Sequence, residues 1–137
     1  MDIVRDLAVL DLLCVQDFPT EHGSTEMGCG GPGYFVVPLG PVTWPSPEDM
    51  YAYEVAMIQR LNERLGSNKR WGATTLRERL IRGEEIAQPW AKLGVLVDDL
   101  RTWPAGRTGR WITLTVSDRE DADAARLLAA VTDAEGP

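Results

Sequence analysis

Hydrophobic periodicity changes character along this chain, and the change restricts it to folds that combine helices with a sheet. Between Pro47 and Leu65 the apolar residues Tyr53, Met57, Leu61 and Leu65 recur every four positions, with Met50 and Ile58 beside them, which is the spacing of one helical face. Ser46 precedes Pro47, and Glu48 and Asp49 follow. This order supplies a side-chain cap, a proline where no backbone N–H is needed, and negative charge at the positive end of the helix dipole. Gly66 provides the stop. By contrast, Ile112, Leu114 and Val116 alternate with Trp111, Thr113 and Thr115 over residues 110–117, the two-residue period of a strand.

The remaining segments are assigned on weaker patterns. Ile3, Leu7, Leu10 and Cys14 form a helical stripe in residues 2–15, although Leu12 to Phe18 is apolar enough for a strand. Residues 19–33, with Pro19, His22 and five glycines, read as a long Gly-rich loop. Tyr34 to Leu39 reads as a strand that Pro38 confines to an edge or ends. Thr75 and Glu78 have capping-box spacing before Leu76, Leu80 and Ile81, and Gly83 and Pro89 weaken and end that helix. Leu93 to Leu100 reads as a strand joined through a 102–109 hairpin loop to the 110–117 strand. Asp118, with Asp121 at the box position, heads a last helix that buries Ala124, Leu128 and Val131. The expected fold is therefore α+β. A small antiparallel sheet with a C-terminal β-hairpin packs against two or three amphipathic helices, chiefly 47–65 and 118–132, in a single globular domain over 1–137.

Composition agrees with a domain held by its own core. The chain has 137 residues, 44% apolar and 26% charged, enough to fold without a metal or a disulfide framework. No cofactor or metal is expected. A net charge of -7 opposes non-specific coating of nucleic acid and adhesion to anionic membrane, both driven by positive charge. No apolar run approaches the roughly 20 residues of a membrane helix, and Met-Asp-Ile-Val-Arg-Asp is not a secretory leader, so a cytoplasmic setting with no membrane contact is expected. Cys14 and Cys29 are then expected as thiols.

Charge is sorted along the sequence. Residues 1–59 hold nine acids against Arg5, whereas residues 60–82 carry Arg60, Arg64, Lys69, Arg70, Arg77, Arg79 and Arg82 against two acids. A basic segment inside an acidic chain either closes on the chain's own acids or offers a patch to a partner. Here it surrounds Trp71 and bridges two expected helices, a helix-loop-helix suited to phosphate contact, so nucleic acid is one possible partner. Trp103, with Arg101, Arg107 and Arg110 on the expected hairpin, resembles the Trp/Arg anchors of protein interfaces.

Two further constellations carry chemistry. Cys29 and His22, the sole histidine, share the Gly-rich loop and are the minimum for a nucleophile and its base. Cys14, His22 and Cys29 with Asp17 or Glu26 could ligate zinc, but their gaps match no knuckle spacing. Gly28-Cys29-Gly30-Gly31-Pro32-Gly33 has the letters of a dinucleotide fingerprint but is followed by strand-like Tyr34-Phe35-Val36-Val37 instead of a helix. Adjacent Asp98-Asp99 and Glu84-Glu85 point apart on any regular backbone.

These observations point first to a non-catalytic, cytoplasmic interaction or regulatory protein of immunity, antitoxin-like or phage accessory type. It would bind a protein partner through a Trp/Arg-rich surface of Arg70, Trp71, Arg77, Trp103 and Arg107. The alternatives are a small enzyme using Cys29 and His22, and a nucleic-acid accessory protein using residues 60–82.

Overall fold

The computed structural model of the chain describes residues 2–119 and 125–137. Among these residues four helices and seven strands follow in the order α1 (Ile3–Leu13), β1 (Gly23–Ser24), β2 (Cys29–Gly31), β3 (Tyr34–Pro38), α2 (Pro47–Leu65), β4 (Lys69–Gly72), α3 (Thr74–Ile81), α4 (Trp90–Leu96), β5 (Asp99–Pro104), β6 (Trp111–Val116) and β7 (Leu127–Thr132). The fold is α+β, as the mixed periodicity requires. α2 begins as its sequence dictates, with Ser46 Oγ accepting the Asp49 N–H at 3.2 Å.

All seven strands are antiparallel in one sheet, ordered β1-β2-β3-β7-β6-β5-β4. The last strand, β7, therefore sits in the middle and joins the β1-β2-β3 meander to the β4-β5-β6 half. In register across the sheet, Cys29 stands opposite Val36, Val36 opposite Ala130, Ala130 opposite Thr113, Thr113 opposite Thr102 and Thr102 opposite Lys69. Directly opposed residues share a face, so this row defines one side of the sheet and its neighbours the other.

The two faces bury separate cores. On one, Phe35, Val37, Leu114, Leu127, Val131 and Trp103 pack against Leu7 and Leu10 of α1 and Met50, Met57 and Leu61 of α2. On the other, Leu100 and Ala130 pack against Leu76 of α3 and Trp90 and Leu93 of α4. α3 and α4 meet at Gly94, where a β-carbon would stand 2.9 Å from Leu76 Cδ2.

Several segments differ from the sequence reading, each for a physical reason. Leu93 to Leu100 is not one strand. Trp90, Leu93 and Val97 have helical spacing and end α4 side by side in the second core, and β5 starts only at Asp99. The expected 118–132 helix is overturned, since Leu127–Thr132 is the central strand β7; the Asp121 box position and Ala124 lie outside the described residues. A strand buried on both faces reads as a continuous apolar run, which periodicity cannot tell from a buried helix. The Thr75–Glu78 box does not cap α3, whose N-cap is Ala73 with no side-chain bond. The 19–33 stretch is not an open loop, because β1 and β2 pair within it and β2 pairs on to β3. α1 is helical, and Pro38 ends β3, which lies inside the sheet between β2 and β7.

Candidate functional site

The basic segment is helix-strand-helix instead of helix-loop-helix, and the inserted strand decides where its charges point. β4 is an edge strand whose one neighbour is β5. Its residues alternate between faces. Lys69 and Trp71, opposite Thr102 and Leu100, lie on the α3 side, while Arg70 is turned to the other, where it pairs with Asp99 at 2.9 Å.

α3 follows β4 without a loop. The buried Ala73 donates its N–H to Asp98 O at 2.8 Å, which brings the first turns of α3 back along the strand. Thr75, Leu76 and Arg79 then face Lys69, Trp71 and Gly72 across a groove of about 520 Å³, closed on its far side by Glu135, Gly136 and Pro137. Trp71 is fixed from two directions: its ring packs 5.6 Å from that of Trp90, and its indole N–H donates to Thr102 Oγ1 at 3.1 Å. Lys69 holds Glu135 at 3.3 Å, and Arg79 holds Glu84 at 3.4 Å. Lys69 and Glu135 are 70% and 47% exposed, and an ion pair in such a setting contributes roughly 0 to 1 kcal/mol. The groove thus presents an apolar floor and two cations, the more exposed of which, Lys69, is held by its partner only weakly.

The other residues expected at an interface go elsewhere. Trp103 is completely buried in the first core, its indole N–H donating to Asn62 Oδ1 at 2.9 Å, and no partner can reach it. Arg77 closes on its own chain, donating to Val97 O at 2.7 Å and to Gly94 O at 3.4 Å and lying 3.5 Å from Asp98. Arg110 donates to Leu13 O and Gln16 O, each at 2.6 Å, beneath the ring of Phe18. Arg107 is exposed in the 3-10 turn between β5 and β6. Sequence reasoning counted Lys69 and Arg79 among the basic residues but did not single them out. The strand alternation that places Lys69 beside Trp71 is confined to the four residues Lys69–Gly72, too few for the sequence to signal it.

The Gly-rich segment builds a second arrangement. Gly23 pairs with Gly30 and Gly31 with Tyr34, which sets His22 beside Gly31. A β-carbon on Gly31 would stand 2.6 Å from His22 Nδ1 and 2.7 Å from Tyr34 Cε1. Glycine there lets the imidazole reach over, and His22 Nδ1 shares a 2.8 Å hydrogen bond with the Tyr34 hydroxyl. The hydrogen-bonding partner of His22 is thus a phenol. Cys29 lies one pleat away on the same face, half-buried, near enough that burial first and the Cys29 charge second raise the Tyr34 hydroxyl above its ordinary value.

Cys14 is buried in the first core, and Cys29 belongs to the opposite face of the sheet, so the zinc set Cys14, His22 and Cys29 does not converge. Among the described residues no three of His, Cys, Asp and Glu gather to hold a metal ion. The glycine fingerprint runs from β2 into β3, and no helix N-terminus follows it. Among the described residues no helix is long and apolar enough to cross a membrane. No family model, curated protein or solved structure matches this chain.

Proposed function

We propose that this chain is a non-catalytic cytoplasmic interaction protein, of immunity, antitoxin-like or phage accessory type, whose β4–α3 groove takes an acidic segment of a protein partner. The observation that carries the reading is the convergence of Lys69, Trp71 and Arg79 on one exposed groove, with Glu135 of the same chain already seated on Lys69. Charge complementarity with carboxylates, an aromatic floor and a neighbouring edge strand are the recurring parts of extended-segment recognition. The local positive charge also offsets the long-range repulsion that an acidic chain of net -7 exerts on an acidic partner.

The test uses a fluorescein-labelled peptide, Asp-Ala-Glu-Gly-Pro-Leu-Glu, and its amide analogue with Asn and Gln for the acids, followed by anisotropy. The acidic peptide is expected to bind, with Lys69→Glu and Arg79→Glu each weakening it by about tenfold, a loss of about 1.4 kcal/mol. Equal binding of the amide analogue contradicts the proposal, as does tighter binding of a single-stranded oligonucleotide that is lost with rising salt.

A further inference from the structure

The second face of the sheet is only partly covered. α3 and α4 sit over Leu100 and Ala130, and beyond α4, toward β1 and β2, a cleft of about 690 Å³ opens between the sheet and the helix. Its floor is Val36 and Leu128, its wall Leu93 and Leu96. Val36, Leu96 and Leu128 are only half-buried, so the cleft holds apolar surface that the fold itself leaves in contact with water. Such a volume, mostly apolar with a few polar groups, is the ordinary form of a small-molecule site.

The polar groups are placed at its margins. Cys29 and Tyr34 line the β2–β3 side, the latter tied to His22. Lys92 of α4 and Arg126, just before β7, contribute two positive charges to the lining. Lys92 is exposed, and among the described residues it makes no ion pair. Among the described residues the charged ones that line this apolar trough, Lys92 and Arg126, are both cations, which suits a molecule with an apolar body and an anionic head.

We propose that this cleft binds an amphipathic organic anion, the apolar body lying between Val36, Leu128, Leu93 and Leu96 and the anionic head meeting Lys92 and Arg126. The site is separate from the β4–α3 groove and stands or falls independently of it. Cys29 reports on it, because an occupant of the cleft covers its thiol.

The experiment follows alkylation of Cys29 by iodoacetamide with mass-spectrometric readout, in the presence of decanoate or decyltrimethylammonium, both below micelle formation. Cys14, buried in the first core with its thiol pushed up by burial, serves as the internal control. Decanoate is expected to slow Cys29 labelling saturably, while the cation of equal chain length does not. Lys92→Glu, a change at an exposed position, is expected to raise the protecting concentration by about tenfold, with the far-ultraviolet circular dichroism unchanged. The proposal is overturned if millimolar decanoate leaves the Cys29 rate unchanged, if the cation protects equally, or if folded Lys92→Glu is protected as well as the parent chain.

Discussion

Arg110 holds more of this structure than its neighbours in sequence suggest. Its guanidinium takes Leu13 O, at the end of α1, and Gln16 O, just beyond it, and lies 3.9 Å from the centre of the Phe18 ring. Leu13 O has no partner within the helix, and a charged donor at a helix C-terminus is favoured by its dipole. Arg110→Ala is expected to cost about 2 kcal/mol in urea unfolding, and Arg110→Lys to recover only part of it, since Nη1 alone makes both carbonyl bonds and an ammonium replaces those but has no planar face to lay on the Phe18 ring. Asp6 acts likewise between elements, accepting from the Gly40 N–H at 2.9 Å and from the Tyr53 hydroxyl. Asp6→Ala leaves both donors unpaired in a buried place and is expected to cost about 3 kcal/mol. Tyr51 gives a pH signature. Its hydroxyl donates to Asp118 Oδ2 at 2.6 Å, and that bond, with partial burial, pushes its titration up to about 12. Because the folded value lies above the ordinary value of about 10, the contribution is complete below pH 10 and is lost as pH rises toward 12. Tyr51→Phe is therefore expected to be less stable than the parent at pH 8, with the difference vanishing by about pH 12. A difference that instead grows with alkalinity would count against the bond.

Elements were legible where polar residues interrupt the apolar pattern, whether or not those residues meet water, and illegible where none do. α2 carries its cap, its stripe and its stop in the sequence, and Ser46→Ala is expected to cost about 1 kcal/mol as an isolated cap loss. β6 was legible because Trp111, Thr113 and Thr115 break the apolar run, although Thr113 and Thr115 prove to be buried. They are satisfied within the sheet, Thr113 with Thr102 and Thr115 with Asp99 O. β7 has no such interruption. Leu-Leu-Ala-Ala-Val reads as a helix until β3 and β6 are known to flank it. α4 was obscured in the opposite way, since Gly94 and the following Val-Leu-Val suggest a strand, whereas Gly94 is there to let Leu76 of α3 approach. Gly94→Val is expected to cost roughly 1 to 3 kcal/mol by forcing the two helices apart. The candidate groove was legible as charge and one tryptophan, but not as a place. That required knowing that Lys69–Gly72 is a strand, a four-residue run too short for periodicity to declare.

At the scale of the whole molecule, the charge sorting resolves into short connections across the fold. Lys69 meets Glu135, Arg70 meets Asp99, Arg77 and Arg119 meet Asp98, Arg79 and Arg82 meet Glu84, and among the described residues only Arg64 of the basic segment reaches back to the N-terminal acids, at Asp11. Sequence separation hid part of this, because Asp98, Asp99 and Glu135 answer Arg77, Arg70 and Lys69 from the start of β5 and from beyond β7, whereas Glu84 answers Arg79 and Arg82 locally. The sheet order also fixes where the molecule opens first. β7 pairs on both sides, whereas β1 is a two-residue edge strand, so amide exchange is expected to be slowest in β7 and β6 and fastest in the β1–β2 hairpin. The most direct test of the β4–α3 groove compares the Trp71 indole resonance in the full chain and in one shortened after Asp133, with the peptide Ala-Glu-Gly-Pro then added back. Removal of Ala134 to Pro137 is expected to shift that resonance, and the peptide to return it toward its original position, less effectively when its glutamate is replaced by glutamine. An indole resonance indifferent to the truncation, or a glutamine peptide that restores it equally well, would contradict the groove as a site for acidic segments.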